Sequence, residues 1–479
     1  MAIEIVRTTD VASSLQVPVV IVGGGGCGLT AALALAERGV EALVIERDDS
    51  PAGSTSMSTG LIPAAGSRAQ HAKGIFDSPA QFAADIIAKT KGKVDVALVR
   101  RLAEQSARTV DWLMEDHGVA LSLVEGFTYP GHSALRMHGM PGRSGLELMA
   151  ALHAACVQAD VSILTSATVD RLYVTPEDHV IAVGAVRPDG REEIVGCGAL
   201  ILASCGFAGN PAMVRALIPE LEFATFHGHS GNKGHAIEWG RSLGAAMADL
   251  SAYQGHAGLA AGYGIPILWP LISEGGIQVN RQGQRFANEA AGYSEQAVKV
   301  LQQENHIAWS IYDATRHAVM EQFDDYQQAK SAGCLMTADS IEALADKAKI
   351  DAVGLRRTIE QTWDLLRSGK PDEFGRSFAG KAPLQPPFYA VRVTGALFHT
   401  QGGLEVDGDA RVLRTDRSPF PNLYAGGGAA RGISGPGADG YIAGNGLLSA
   451  TTLGRLAGEH AARISATATM LRNANREKP

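Results

Sequence analysis

The first part of the chain alternates short apolar runs with one alanine-rich segment. Residues 17–22 (VPVVIV) are continuously apolar and rich in β-branched side chains, a pattern typical of a buried strand. The segment LTAALALAERG follows a glycine-rich turn, and Gly39 stands where a helix C-cap glycine belongs. A second apolar run, ALVIE, ends at Glu46. This order predicts a strand, a turn, a helix and a second strand of an α/β sheet.

The turn after the first strand carries glycines with the GxGxxG spacing of dinucleotide-binding proteins. Gly23 permits the tight turn, Gly25 lets the backbone reach a pyrophosphate, and Gly28 lets the helix pack closely on the strand. The pyrophosphate then lies at the helix N-terminus, and Glu46 accepts hydrogen bonds from ribose hydroxyls. Taken alone, this fingerprint does not separate NAD from FAD.

The following segment favours FAD. Residues 51–60 (PAGSTSMSTG) form a small-residue loop at the place where flavin enzymes bring backbone and hydroxyls onto the isoalloxazine ring; the alternative is a flexible surface loop. The strand-like segments 198–210 (GALILASCGFAGN) and 422–427 (NLYAGG) each run into another glycine turn. These segments predict the other edges of one dinucleotide site.

The composition excludes several other classes of protein. Hydrophobic residues make up 46% and charged residues 19% of the 479 residues, which is ordinary for a soluble protein with a large core. The net charge of −8 argues against nucleic-acid or anionic-membrane binding. The five cysteines are scattered without a CxxC pair, so we expect neither a disulfide framework nor a metal site. The chain shows no secretory signal and no long apolar span, so we expect a cytoplasmic protein.

Several later motifs occur in a fixed order. They are ILASCGFAGN (201–210), GNKGHAIEWGRSLGAAMADL (231–250), GQRFANE (283–289), FHTQGGLEVD (398–407) and the closing segment from NLYAGGG to GRLAG (422–458). Together they resemble the fumarate reductase and 3-ketosteroid dehydrogenase superfamily of FAD-dependent oxidoreductases, over nearly the whole chain. Cys205 and Gly428 depart from the family, which usually has a glycine and a glutamate at these two places.

The resemblance implies an α/β fold in which a Rossmann-like FAD-binding domain is interrupted by an inserted α+β cap (substrate) domain. We place the FAD-binding domain at residues 1–251 and 388–479, and the cap at 252–387. The chain supports this division, because a polar helical stretch opens at Ile341 after N-cap residue types and stops at Gly369, before a proline-rich segment.

The resemblance also implies a set of FAD-binding residues. The FAD is expected to be non-covalent, because the loop 51–60 lacks the histidine that carries the flavin link in some family members. The candidate FAD-binding residues are Gly23, Gly25, Gly28, Glu46, Arg47, Ser54, Thr55, Ser56, Thr59, Gly60, Val169, Gly206, Gly427, Asn445, Leu447 and Leu448.

Two tyrosines separate this chain from the dicarboxylate enzymes that it resembles. Tyr293 and Tyr441 stand where fumarate reductases have the arginines that donate the proton and hold the carboxylate. A phenol does not replace a bidentate guanidinium, so dicarboxylate reduction is disfavoured. Ketosteroid dehydrogenases have a pattern similar to these tyrosines, which implies Tyr293 as the base, and Tyr441 with the Gly444 N–H as the carbonyl-binding pair. The proline that precedes the base in that branch is Gly292 here.

This set of groups suits the α,β-dehydrogenation of a cyclic ketone of the 3-ketosteroid or oxocyclohexane type. A base removes the α-proton, flavin N5 accepts hydride from the β-carbon, and donors stabilise the enolate-like oxygen. An unperturbed phenol has a pKa of about 10, so Tyr293 needs activation by its neighbours to act as a base. The partners are then a small-molecule ketone or oxo-acid and an electron acceptor.

Other interpretations stay open. His256 and His399 match histidines that bind substrate carboxylates in fumarate reductases, or they are structural. Arg431 either contacts the substrate or lies at the flavin side or the surface. The same site also serves an ene-reductase that acts on an activated double bond. A third alternative is a flavoprotein subunit that only transfers electrons.

Overall fold

The computed structural model describes residues 3–126 and 128–476, with side chains up to residue 465. The strands are β1 (Glu4–Arg7), β2 (Leu15–Val22), β3 (Ala42–Ile45), β4 (Ile62–Pro63), β5 (Ser122–Leu123), β6 (Met137–Gly139), β7 (Ser162–Leu164), β8 (Thr168–Val174), β9 (Val180–Val186), β10 (Glu192–Leu202), β11 (Thr225–Phe226), β12 (Met247–Ala248), β13 (Tyr253–Ala260), β14 (Ile277–Val279), β15 (Ile307–Asp313), β16 (Leu335–Ala338), β17 (Phe388–Thr400), β18 (Gly403–Leu404), β19 (Arg411–Leu413) and β20 (Pro419–Ala425). The α-helices are α1 (Gly26–Ala36), α2 (Gly53–Ser56), α3 (Arg68–Ala72), α4 (Pro79–Lys89), α5 (Val96–Glu115), α6 (Gly145–Gln158), α7 (Pro211–Leu217), α8 (His235–Leu243), α9 (Pro270–Ser273), α10 (Tyr293–Leu301), α11 (Ala314–Met320), α12 (Asp324–Ser331), α13 (Ile341–Ala348), α14 (Ala352–Ser368) and α15 (Asn445–Arg476). Among these described helices, none combines the length and the apolar character that a membrane span requires.

A nine-stranded sheet joins the beginning, the middle and the end of the chain. Strand β10 lies between β2 and β20 and is parallel to both, with Leu202 paired to Val22 on one side and to Ala425 on the other. Strand β3 continues the parallel order beyond β2. The predicted strands at 17–22 and 42–46 are therefore present, and an α/β fold is confirmed. Because the three central strands are parallel, their carboxyl ends meet at one edge of the sheet.

Helices α1 and α15 pack against each other with very little space between their backbones. A Cβ atom at Gly454 would lie 2.4 Å from the carbonyl oxygen of Cys27, and one at Gly458 would lie 2.4 Å from that of Ala31. The small side chains of α1 are buried along almost its whole length. This close approach packs the C-terminal helix α15 against the first helix of the chain.

A six-stranded sheet forms a second layer. Its long strand β17 pairs with β11, β13, β15 and β16, and β14 lies beyond β15. Strand β17 begins at Phe388, just after the predicted end of the cap at 387, and β11 precedes its predicted start at 252. The second sheet therefore extends beyond the predicted cap on both sides, because strand pairing depends on partners that are distant in sequence. The division into domains stays a prediction.

The predicted helical segment between Ile341 and Gly369 is two helices. Ser340 caps α13 by accepting a hydrogen bond from the Ala343 N–H, and the helix ends at Lys349, which has a left-handed φ of 58°. Asp351 then caps α14 through the Gly354 N–H, and Gly369 terminates it with a φ of 64°. The break follows from the second N-cap residue inside the segment.

The GQRFANE motif forms a buried ion network under the loop that leads to Tyr293. Glu289 accepts a hydrogen bond from Arg285 at 2.6 Å and lies 2.9 Å from Nη1 of Arg376, and all three side chains are at most 7% exposed. Asp372 pairs with Arg285 from the other side. Burial raises the pKa of Glu289, but the two guanidiniums outweigh it and hold the pKa below its ordinary value. The motif is therefore explained by charge compensation inside the fold.

We expect Glu289→Gln to lower the free energy of unfolding by about 3 kcal/mol or more, because it leaves two buried guanidiniums with one carboxylate. The measurement is chemical denaturation followed by tryptophan fluorescence. Glu304→Gln is the matched control, since the contacts of Glu304 with Arg281 and Asn305 are exposed, and we expect a change of at most about 0.5 kcal/mol. Equal losses in the two variants would contradict this account.

Candidate active site

Two neighbouring cavities lie at the carboxyl edge of the parallel strands. The larger spans about 1510 Å³, part of it open to solvent, and extends to the second sheet. The smaller spans about 680 Å³, also partly open to solvent, and lies beside Glu46 and the end of β2. Gly25, Ala203, Cys205 and Asn232 line both cavities, so together they form one elongated groove.

The turn between β2 and α1 leaves space for a ligand next to the backbone. A Cβ at Gly23 would lie 2.5 Å from the Ala203 oxygen, and one at Gly28 would lie 1.9 Å from the Gly23 oxygen. Gly25 faces the groove, where a Cβ would meet no atom closer than 4.0 Å. Glu46 accepts a hydrogen bond from the Gly24 N–H at 2.6 Å, which holds its carboxylate at the wall of the smaller cavity.

Unpaired buried polar atoms mark the walls of the groove. The side-chain oxygens of Ser204, Asn232 and Ser449 line it, and that of Asn445 lies beside it; none of the four atoms has a hydrogen-bond partner among the described residues. Buried polar atoms in native proteins are normally hydrogen-bonded, so these oxygens point to a polar ligand of the groove. The residues that line the groove therefore fit a dinucleotide, because its phosphates, ribose hydroxyls and ring carry hydrogen-bonding groups along its whole length.

Most of the predicted FAD-binding residues lie on these walls. Those that line the groove are Gly23, Gly25, Glu46, Arg47, Ser54, Thr55, Thr59, Val169, Gly206, Gly427 and Leu447. Gly28, Ser56, Gly60, Asn445 and Leu448 lie behind the lining. Gly28 acts in helix packing, as predicted, and the Ser56 hydroxyl donates to the Gly53 oxygen instead of facing the groove.

The two departures from the family pattern meet at one point. Cys205 has a left-handed φ of 62°, a conformation that explains why a glycine is usual there. A Cβ at Gly428 would lie 2.7 Å from the Gly206 nitrogen. The space for a glutamate side chain at 428 is thus taken by the neighbouring turn.

Four segments bring the predicted catalytic residues together in the larger cavity. Tyr293 is the first residue of α10, and its ring centre is 5.9 Å from that of Tyr441 in an edge-to-face contact. The ring of His256, from β13, is 5.2 Å from Tyr293, and the ring of His399, from β17, is 5.9 Å from Tyr441. Gly444 also lines the cavity. All five residues predicted to be catalytic therefore lie in one place.

The tyrosine pair is hydrogen-bonded and protonated. Burial, together with Tyr441 and Tyr129, raises the pKa of Tyr293 well above its ordinary value. Burial also raises the pKa of Tyr441, although hydrogen bonds from Tyr293 and from the backbone of Gly444 and Gly446 oppose it. The activation that Tyr293 needs as a base is thus absent from these neighbours, and the phenol is held in its neutral form.

The two histidines are neutral hydrogen-bond donors. Burial lowers the pKa of His256 to about 3, with a contribution from His227, and burial lowers that of His399 to about 4. The Gly258 N–H donates to Nδ1 of His256 at 3.1 Å, whereas Nδ1 of His399 lies 3.0 Å from the Gln401 amide nitrogen and 3.2 Å from the Thr400 carbonyl oxygen. Because the neutral imidazole of His256 accepts at Nδ1, it carries its hydrogen on Nε2.

The structure adds residues that sequence reasoning missed. Tyr129, Trp269 and Asp325 line the larger cavity, and Asn232 donates to Ser54 at 2.9 Å between the two cavities. Burial, with help from Asp324, raises the pKa of Asp325 to about 6. Asn232 lies inside the GNKG motif, so the sequence could have indicated its place in the site. Tyr129, Trp269 and Asp325 belong to no motif that would have indicated theirs. Arg431 does not line the cavity and pairs with Asp249 at 2.7 Å.

Comparison with known proteins agrees with the groove. A family model described as the FAD binding domain matches residues 18–447. The chain belongs to this family. The predicted FAD cofactor is thereby confirmed, and the protein is an FAD-dependent oxidoreductase.

Relatives and solved structures confirm the predicted superfamily. The chain is 29% identical over 453 residues to a fumarate reductase (cytochrome) from Shewanella frigidimarina, covering 94% of this chain and 77% of that protein. The open conformation of a flavocytochrome c3 fumarate reductase has a TM-score of 0.79 at 26% identity, over 95% and 79% of the two chains. A 3-ketosteroid Δ4-(5α)-dehydrogenase from Rhodococcus jostii RHA1 has a TM-score of 0.76 over 96% and 99%; at 23% identity it shows a shared fold alone.

We expect the purified protein to be yellow and to release intact FAD on acid precipitation, because the loop 51–60 offers no histidine for a covalent link. The measurement is the absorbance and mass of the flavin in the supernatant. Flavin that stays with the precipitated polypeptide would contradict non-covalent binding.

Proposed function

We propose that the protein dehydrogenates a cyclic ketone, of the 3-ketosteroid or oxocyclohexane type, between its α- and β-carbons. One observation carries this proposal. The larger cavity holds the hydrogen-bonded pair of Tyr293 and Tyr441, and its described lining includes no arginine or lysine. Phenols and a backbone N–H are suitable partners for a ketone oxygen, whereas a dicarboxylate would bring two charges with no cation to meet them.

The charge state of the cavity supports a neutral substrate. His256 and His399 are uncharged at neutral pH, and Asp325 is the one carboxylate on the described wall. A bound carboxylate would meet neutral donors and the negative charge of Asp325. Burying an anion without a cation beside it is costly. A ketone with a second uncharged acceptor oxygen would use the Nε2 hydrogen of His256 without that cost.

The residues divide the reaction as follows. Tyr441 and the Gly444 N–H hold the carbonyl oxygen and stabilise the charge that develops on it, an effect of about 3 kcal/mol per donor. Tyr293 takes the α-proton. FAD, when bound, accepts the hydride that leaves the β-carbon. Residues 252–387 would act as the cap over this site, and a separate acceptor would reoxidise the flavin.

Ene reduction is the second candidate, and the state of Tyr293 favours it. A phenol whose pKa is raised is protonated at neutral pH, which is the form that donates a proton to an activated double bond. The similarity to a fumarate reductase supports this direction too. Both candidates use the same groups in opposite directions, with an electron-poor cyclic enone as the common partner.

We expect Tyr293→Phe to slow flavin reduction by the best cyclic ketone by a factor of roughly 10² or more, because general acid–base catalysis is lost. The ring volume is unchanged, so FAD content and thermal stability should stay near those of the wild type. The measurement is anaerobic bleaching of the flavin in a stopped-flow instrument, after a panel of cyclic ketones and oxo-acids has identified the best substrate.

Tyr441→Phe provides the comparison. We expect it to weaken substrate binding as well as the rate, since Tyr441 is proposed to hold the carbonyl. Near-normal bleaching by Tyr293→Phe would place the base elsewhere, with His256 or His399 as the next candidate. Fumarate reduction at a rate comparable with any ketone reaction would overturn the assignment of a neutral substrate.

The pH dependence distinguishes the two directions. If Tyr293 must lose its proton to act as a base, the dehydrogenation rate should rise steadily between about pH 6 and pH 9, with no plateau below the raised pKa. Ene reduction by the protonated phenol should be flat over the same range. His256 and His399 titrate far below it, so neither should add an inflection near pH 6.5. A plateau reached at about pH 7 would show that Tyr293 is not the titrating base.

A further inference from the structure

The segment that carries Tyr293 is tied to helix α4 by one lysine. Nζ of Lys89, the last residue of α4, donates to the Ala291 carbonyl oxygen at 3.0 Å and to Glu295 Oε1 at 2.6 Å. These two acceptors stand on either side of Tyr293 in sequence. Both side chains of the ion pair are largely buried, with 14% of Lys89 and 22% of Glu295 exposed.

The same pair accounts for Gly292. The carboxylate of Glu295 folds back over the start of α10, where a Cβ at Gly292 would lie 2.4 Å from Oε2 and 2.7 Å from Oε1. A side chain at 292 would require this carboxylate to move away from its place beside Lys89. The glycine that replaces the proline of the ketosteroid pattern is therefore compatible with the Lys89–Glu295 pair as it stands.

We propose that Lys89 is a positioning residue for Tyr293, which fixes the backbone before the phenol through the Ala291 carbonyl and neutralises the carboxylate of Glu295. This inference rests on the proposed role of Tyr293 in proton transfer. Glu295 Oε2 is buried without a hydrogen-bond partner among the described residues, so Lys89 is the group that compensates the charge. An uncompensated anion close to a phenol disfavours the phenolate.

Other titratable groups also face Tyr293. Tyr441 and Tyr129 raise its pKa, and His256 lies 5.2 Å away but is neutral. Asp325 lines the same cavity. Glu295 contributes as well, and it is the charged group in this set that has a cation of its own. Removing that cation should therefore act on Tyr293 through Glu295 and leave the other groups as they are.

The test is a charge cycle in the FAD-loaded enzyme. Lys89→Met should lower the rate of flavin reduction about tenfold at each pH below the Tyr293 pKa, which displaces the rising limb of the pH profile upward by about one unit, because one pKa unit corresponds to a factor of ten. Glu295→Gln alone should keep the rate at or above that of the wild type. The double variant should recover most of the rate that Lys89→Met loses, since the uncompensated carboxylate is gone.

Two further variants keep the test decisive. Lys89→Arg keeps the charge and should stay near the wild type, and it replaces Lys89→Met if that variant fails to fold. Lys91→Met is the matched control, because Lys91 lies just beyond α4 and forms an exposed pair with Asp439. A double variant slower than Lys89→Met, or an unchanged pH profile in Lys89→Met, would show a purely structural role and overturn the proposal.

The substrate used decides which proposal has failed. If no cyclic ketone bleaches the wild-type flavin, the proposed dehydrogenation is wrong. The Lys89 cycle can then be run in the other direction, with dithionite-reduced enzyme and a cyclic enone as the oxidant. In that direction the protonated phenol is the active form, so Lys89→Met should leave the rate unchanged up to about pH 9 and move the alkaline fall of the rate to higher pH, and the double variant should reverse this displacement.

Discussion

The close approach of three glycine turns at one edge of a parallel sheet is the constraint on which the rest of this structure depends. Strands β2, β10 and β20 end side by side, and each leads into a turn with almost no room for side chains. Gly23 lies against Ala203, and Gly428 lies against Gly206. Backbone N–H groups can approach a ligand along its length only where no side chain stands between them and the ligand.

The six-stranded sheet of the second layer carries side chains of the candidate active site to this edge. Strand β17 carries His399, its neighbour β13 carries His256, and the RFxNE network supports the loop before Tyr293. The guanidiniums of that network are ion-paired inside the fold, whereas the described lining of the larger cavity includes no arginine or lysine. The absence of a cation from that lining is the main electrostatic difference expected between a ketone site and a dicarboxylate site.

The neutral cavity has a consequence for proton transfer. The described lining of the larger cavity has no arginine or lysine, and burial raises the pKa of Tyr293, so its form at neutral pH is set by the same desolvation that would suit an uncharged substrate. Binding of the proposed neutral ketone and easy formation of a phenolate would therefore oppose each other. Any factor that lowers the negative potential near Tyr293, such as the cation at Lys89, then acts directly on the reaction.

The sequence by itself determined the local elements and the cofactor. The apolar run before Gly23, the glycine spacing and Glu46 predicted the β2–α1–β3 unit, because burial on both faces of a parallel strand is written in consecutive residues. Ser340 and Gly369 marked helix ends, although the cap at Asp351 divided the segment. The motif order also selected Tyr293 and Tyr441. Only the tertiary structure placed β17 at the centre of the second sheet, brought Tyr129 to the tyrosine pair and joined Lys89 to Glu295. These contacts link residues that are far apart in the chain. The local pattern of apolar and polar residues does not predict which distant side chain will compensate a charge or line a cavity.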